Sequence, residues 1–279
     1  MSIDERSCVE ANGASIPVLG FGTWQLEGQE CVEAVKTALA CGYRHIDTAQ
    51  VYDNESDVGA GLAESGVARD EAFVTTKVWM DQMEEARLQG SVELSLKRLG
   101  LDHVDLLLIH WPNPDVPLKE TMAALSEVKR FGMTHHIGIS NFPVALMEEA
   151  IALASEPLVT NQVEYHPRLN QNVVLDACRR AGLALTAYSP LGRGELLSNP
   201  VLTEIADGHG KAPAQVILRW LIQQEGVVAI PRSGNPAHIE SNFDVFDFAL
   251  SDDEMARIFA LAQPDGRMTD PDWAPQWDG

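Results

Sequence analysis

The sequence predicts an α/β chain folded as a single (β/α)8 barrel, on two observations. Short apolar runs rich in β-branched residues alternate with longer amphipathic stretches, and no linker, low-complexity segment or further repeat interrupts that rhythm. The length of 279 residues suits one such barrel, read as a single domain over 1–279.

Residues 8–19, CVEANGASIPVL, contain Asn12-Gly13. That pair favours a two-residue hairpin turn, whose central positions need positive φ. The hairpin is expected to cap the bottom of the barrel. The run 16–24, IPVLGFGTW, reads as the first barrel strand. Seven more runs follow, at 44–49, 72–79, 104–111, 135–142, 158–166, 183–190 and 227–233. Their continuous apolar character marks strands buried on both faces. Between them, stretches such as 29–42, 84–100, 118–132 and 212–226 place apolar residues three and four apart, as helices covering the barrel do. Several end in glycine, the usual left-handed stop. Thr160 and Asn161 sit inside the run 158–166 and read as polar side chains aimed at a ligand. A doubly wound sheet with a dinucleotide-binding half is the alternative. It lacks a GxGxxG after any run; Gly59-Ala-Gly61 falls in a helical stretch without the third glycine.

The formal charge is −21, from 20 Lys and Arg against 41 Asp and Glu. Such a surface repels phosphate backbones and anionic lipids, so neither nucleic acid nor a membrane is an expected partner. An acidic face can simply keep a chain in solution. The sharper reading is adaptation to a high-salt cytoplasm, where cations screen self-repulsion. Thermal unfolding should then shift upward between dilute buffer and molar KCl, and indifference to salt would count against the idea. Residues 1–10 do not read as a signal peptide, and no apolar run reaches a membrane-spanning length, so the cytoplasm is the expected compartment. Cys8, Cys31, Cys41 and Cys178 form no CxxC pair and read as reduced, mostly packed thiols.

In a barrel, side chains at the carboxyl ends of strands face the catalytic mouth. Asp47, Lys77 and His110 end successive runs, and Tyr52 follows Asp47 in the next loop. Any one of them reads equally well as a structural ion pair or a packed ring. Together they suit the delivery of a proton to a carbonyl oxygen. Tyrosine is a weak acid, a nearby ammonium should lower its pKa, and an aspartate keeps that ammonium charged and fixed. The histidine could orient the substrate oxygen or share the proton. Trp24, Trp79 and Trp111 stand at or just past strand ends, so the substrate pocket is expected to be aromatic. The eight histidines show neither HxxxH nor HExxH spacing, so neither metal catalysis nor a metal-ligand set is expected.

GYRHIDTAQVYDNESDVG (42–59) resembles the first signature of the aldo-keto reductases. GFGTW (20–24), TTKVW (75–79), LLLIHWP (106–112), IGISNF (137–142), NQVEYHP (161–167), AYSPLGRG (187–194), KAPAQVILRW (211–220) and IPRSGNPAHIESNF (230–243) continue it in family order. Within that family the chain is similar to the prokaryotic 2,5-diketo-gluconate reductase type. The resemblance implies a monomeric barrel that binds NADPH, with NADH possible, extended across its mouth. It also implies reduction of aldehydes and ketones such as small keto sugars, keto acids and 2-oxoaldehydes. Tyr52 is then the general acid, Asp47 and Lys77 tune it, and His110 positions the carbonyl while hydride passes from the nicotinamide. Tyr188 would stack on the nicotinamide, with Ser140, Asn141 and Gln162 on its carboxamide and Thr23, Trp24 and Ile230 alongside. For Ser140-Asn141 a helix N-cap before Pro143 is an equally compatible role. Ser189, Pro190, Leu191 and Gly192 would cross the pyrophosphate. Arg232, Ser233, Gly234, Asn235, His238 and Asn242 would hold the adenosine end.

Three positions depart from the family pattern. His238 stands where an arginine is common, and Ser241 where a glutamate is common. Arg232 replaces a lysine and would be the better bidentate phosphate ligand. The expected result is NADPH use with a reduced margin over NADH. The Pro/Asp-rich tail 264–279, with Trp273 and Trp277, is expected to fold over the mouth as a loop. Arg267 could there attract an anionic substrate or remain solvated. The competing functions are a non-catalytic NAD(P)H-binding regulatory barrel and a barrel enzyme using Lys77 as a Schiff base.

Overall fold

The computed structural model describes residues 4–278 and contains eight parallel barrel strands in sequence order. These are β3 (Phe21–Gly22), β4 (His45–Asp47), β5 (Phe73–Val78), β6 (Val104–Ile109), β7 (Thr134–Ser140), β8 (Leu158–Glu164), β9 (Ala184–Tyr188) and β10 (Val227–Ala229). The ends of the sheet meet: Leu19 bridges Ala229 in parallel, and the Gly20 amide donates to the Ala229 carbonyl at 2.8 Å. Among the described residues, ten α-helices follow the strands, singly after β3 to β8 and in pairs after β9 and β10: α1 (Gly28–Cys41), α2 (Glu55–Glu64), α3 (Glu85–Leu99), α4 (Leu118–Arg130), α5 (Val144–Leu153), α6 (Asn172–Ala181), α7 (Pro200–His209), α8 (Pro213–Ile222), α9 (Pro236–Phe243) and α10 (Asp252–Phe259). Of the described residues, no helix is long and apolar enough to cross a membrane.

The hairpin forms ahead of the barrel, from β1 (Cys8–Ala11) and β2 (Ala14–Pro17). Asn12 and Gly13 take φ of 45° and 90°, the turn their types favour. The run 16–24 is therefore not one strand. Ile16 and Pro17 belong to the hairpin, and the barrel strand proper is Phe21 and Gly22, with Leu19 and Gly20 closing onto Ala229. The hairpin is a plug: Ala11, Ala14 and Ile16 pack against Leu106, Leu108, Val159, Ala184 and Val228 inside the barrel. The Asn12 amide donates to the Leu158 carbonyl at 2.8 Å, at the amino-terminal end of β8. The mouth lies at the opposite end.

Gly59 and Gly61 serve packing. A Cβ on Gly59 would collide with the Leu99 carbonyl oxygen, and one on Gly61 would lie 2.7 Å from Val35 Cβ. These glycines let α2 approach α3 and α1, so the doubly wound alternative has no counterpart here. Thr160 and Asn161 also correct their sequence reading. Both are fully buried, Thr160 bonded to the Ala184 carbonyl and the Thr186 hydroxyl and Asn161 to the Phe142 carbonyl. They satisfy the barrel wall and face no ligand cavity.

Candidate active site

Parallel register sets the site. Asp47 ends β4, Lys77 lies one residue from the end of β5, and the His110 amide continues the ladder by donating to the Val78 carbonyl. Tyr52 closes a 3-10 turn over Gln50–Tyr52, which swings its ring back over the strand ends. Five non-glycine residues with positive φ (Gln25, Asp53, Asn141, Ser189 and Arg193) all lie in segments at this rim. Such conformations cost roughly 1 kcal/mol or more each and gather where a scaffold must aim side chains.

The Lys77 ammonium is fully buried. It donates to Asp47 Oδ1 at 2.5 Å and the Thr48 carbonyl at 2.8 Å, and reaches Tyr52 Oη at 3.5 Å. Asp47 Oδ2 accepts from Gln162 Nε2 at 2.8 Å, so both carboxylate oxygens are engaged. Burial pushes Lys77 below its ordinary value against the opposing pull of Asp47. Burial, then the Asp47 charge, pushes Tyr52 well above the ordinary phenol value. This reverses the expected direction for Tyr52, because the aspartate offsets the ammonium and desolvation then dominates. Burial, then Lys77, drives His110 well below its ordinary value, so its ring is neutral near pH 7. Its ring packs edge-on against Tyr52 at 5.6 Å and Trp79 at 5.1 Å between centroids.

Above these groups opens a cavity of about 590 Å³. Its wall includes Asp47, Tyr52, His110, Trp79, Trp111, Trp273, Thr23, Trp24, Asn141, Gln162, Tyr188, Ser189, Pro190, Ile230 and Arg232, all anticipated from sequence. Lys77 lies beneath that wall. Ser140 faces away, its hydroxyl donating to the Gln162 carbonyl. Neither Ser140 nor Asn141 caps α5, whose N-cap is Pro143; Asn141 instead donates to the His110 carbonyl and accepts from the Tyr188 hydroxyl at 2.9 Å. Leu191, Gly192, Ser233, Gly234, Asn235, His238 and Asn242 are not part of this wall. Asn235 caps α9, accepting from the Ala237 amide, and Asn242 is buried on the same helix. Arg232 donates to the carbonyls of Trp24 and Gln25 at 2.8 and 2.7 Å.

The tail covers the mouth. Trp273 packs edge-on against Trp111 and Trp79, at 4.9 and 6.0 Å between centroids, and Trp277 lies outside the cavity wall against Trp111 at 5.9 Å. Sequence reasoning missed how the tail is tied down. The fully buried Glu164 carboxylate, at the end of β8, accepts the Met268 and Thr269 amides at 2.7 Å each and His166 Nε2 at 2.8 Å. Burial opposes its ionisation, yet the His166 and amide bonds win and hold it below the usual carboxylate range. Asp278 Oδ2 accepts the Val144 amide at the start of α5. Arg267 is half-buried and not part of the cavity wall; its guanidinium lies 3.8 Å from the Trp277 ring centroid. Arg193 is a missed wall residue, stacked 5.5 Å from the Trp24 centroid and bonded to the Thr269 hydroxyl. No local spacing rule flagged Glu164 or Arg193 as anchors of the tail, because the tail residues they hold are distant in sequence.

A proton-bearing tetrad beside an open cleft, on a barrel without a glycine fingerprint, is the arrangement of a nicotinamide-using oxidoreductase. Comparison with known proteins narrows this. The chain belongs to the aldo/keto reductase family, whose model matches residues 18–263, and is accordingly a carbonyl-reducing oxidoreductase that uses NAD(P)H. It is 47% identical to a glyoxal reductase of Bacillus subtilis over 94% of both chains. It is 44% identical to the methylglyoxal reductase DkgB of Yersinia pestis, over 95% of this chain and all of that one. A crystal structure provisionally described as 2,5-diketo-D-gluconic acid reductase B superposes with a TM-score of 0.95 at 48% identity, over 98% of this chain and 99% of that one. A Bombyx mori aldo-keto reductase in complex with NADP superposes at 0.86 with 35% identity, over 94% of each chain.

Proposed function

We propose that the chain reduces small 2-oxoaldehydes and related keto sugars or keto acids, with Tyr52 protonating the carbonyl oxygen. The observation that carries this is the Tyr52 hydroxyl, held at the cavity wall 3.5 Å from the Lys77 ammonium and beside a neutral His110. A bound nicotinamide supplies the hydride. Tyr188, Asn141 and Gln162 offer a ring face and amide groups at the wall of the same cavity, which suits the polar face of that ring. His110, being neutral, serves as a hydrogen-bond donor that orients the carbonyl rather than as a second acid. The elevated Tyr52 pKa fits this division. An alkoxide developing on the substrate is more basic than a phenolate, so a protonated Tyr52 still gives up its proton downhill. Four tryptophans line the cavity and the tail lies over its mouth, which leaves room for a small carbonyl compound.

The test is oxidation of NADPH, followed by its near-ultraviolet absorbance, with methylglyoxal, glyoxal and a 2,5-diketo acid as substrates. Turnover with at least one is the expected result. None with any carbonyl would favour a non-catalytic binding barrel, and borohydride trapping of substrate on Lys77 would favour a Schiff base.

The cofactor preference is proposed to be relaxed. Two features support it beyond His238. Arg232 commits donors to the Trp24 and Gln25 carbonyls, and the Glu30 carboxylate packs so closely on Gly234 that a Cβ there would collide with its oxygen. A carboxylate at that end accepts a ribose hydroxyl more readily than it tolerates a phosphate. Comparable kcat/KM for NADPH and NADH is expected. A preference for NADPH above about 10⁴-fold, some 5 kcal/mol, would refute this. The protein is also proposed to act as a monomeric single-domain enzyme of the cytoplasm.

A further inference from the structure

At the closed end of the barrel, opposite the mouth, the strand pleat brings together groups that carbonyl reduction does not use. His103 immediately precedes β6 and Asp105 is its second residue, so alternation puts both side chains on one face. In the neighbouring strand β7, Thr134 pairs with Val104 and His136 with Leu106, which sets His135 beside Asp105. The ligand-capable atoms of His103, Asp105 and His135 lie within 4.8 Å of one another. The two imidazole rings stack with centroids 4.2 Å apart, and His135 Nδ1 is already 3.6 Å from Asp105 Oδ1.

The carboxylate is held in place for such a role. Asp105 Oδ2 accepts the Val74 amide and an Arg69 guanidinium nitrogen, each at 2.8 Å, which leaves Oδ1 turned toward the histidines. Arg69 is itself fixed, donating to the carbonyls of Ala72 and His103. Partners that orient a ligating carboxylate in this way are a usual part of protein metal sites.

We propose that His103, Asp105 and His135 form a binding site for one divalent ion of the zinc, nickel or copper class. Two imidazole nitrogens and one carboxylate oxygen match the ligand preferences of those ions rather than of magnesium or calcium. Bonds of about 2.0–2.2 Å to a tetrahedral ion place neighbouring ligand atoms roughly 3.3–3.6 Å apart, so side-chain rotations that draw the three groups together complete the site. His135 has more than half of its side chain exposed, which gives an ion a route in and leaves the remaining coordination position to water. The ion would fasten β6 to β7 at the end remote from Tyr52. Its role is therefore structural.

Equilibrium dialysis of the full chain against zinc chloride, paired with thermal unfolding, tests this. The probes are wild type, His135→Ala, His103→Ala and, because Cys8 is an exposed thiol, Cys8→Ser. Wild type and Cys8→Ser are expected to take up one zinc ion per chain and to melt higher with zinc than with magnesium. Both histidine variants should lose the uptake and the shift while keeping their carbonyl reductase activity, which shows that they fold. Unchanged uptake in His135→Ala and His103→Ala, loss of uptake in Cys8→Ser, or no uptake by wild type would each overturn the site.

Discussion

Tyr52→Phe should lower kcat for carbonyl reduction by about 10²–10⁴-fold, the usual contribution of a positioned general acid, while KM changes little. The substitution removes one oxygen and keeps the ring, so packing against His110 survives. Loss of the hydroxyl strands little, because Lys77 retains Asp47 and the Thr48 carbonyl as partners. Steady-state kinetics with methylglyoxal would measure it. Retention of most of kcat would remove Tyr52 from the proton path and leave His110 as the candidate, despite its neutral state. The same geometry fixes a pH signature. Because Tyr52 is pushed above its ordinary value, the protonated form required for reduction persists through neutral pH and is lost only on the alkaline side. Reduction should therefore hold level across neutrality and fall at high pH. Alcohol oxidation, which needs the phenolate, should rise over the same interval. A wild-type reduction rate that already declines below neutral pH would contradict a raised phenol pKa as the controlling ionisation.

The tetrad was legible in sequence for a physical reason. Strand ends in a parallel barrel converge on one rim, so a polar residue closing an apolar run has few other places to point. Asp47, Lys77 and His110 follow that logic, and the hairpin at Asn12-Gly13 follows from the positive φ its turn requires. The same logic failed at Thr160 and Asn161, which lie mid-strand and bond to neighbouring strands. It failed also at the run 16–24, where an apolar stretch is divided between the hairpin and a two-residue strand that periodicity cannot separate. Features built from pairs distant in the chain left no trace in spacing. Glu164 gripping the amides of residues 268 and 269 is one, and His135 beside Asp105 is another. The direction of the Tyr52 shift was hidden for a related reason. It depends on how completely Asp47 offsets Lys77 once both are buried, and burial is a property of the assembled site.

That offset makes Asp47→Asn the most disruptive small change available. The isosteric amide keeps the shape but removes the charge that compensates a fully buried ammonium. The introduced amide would face two donors, Lys77 Nζ and Gln162 Nε2, with only one acceptor oxygen, so one of them loses its partner. Breaking a buried pair on one side costs about 3–5 kcal/mol. Lys77 can limit that loss by giving up its proton, since a neutral amine needs no counter-ion. The sign of the pH dependence follows. Burial already lowers the folded pKa of Lys77, and losing Asp47 lowers it further, so the unfolded chain binds more protons between the two values. Stability of Asp47→Asn should then rise from about pH 7 toward about pH 9, more steeply than for wild type. Urea unfolding at both values would show the deficit shrinking. Carbonyl reduction should fall as well, because a neutral Lys77 no longer supports the developing Tyr52 phenolate. A deficit that stayed constant with pH would mean that Lys77 keeps its charge without Asp47, supported by the Thr48 carbonyl and Tyr52 alone.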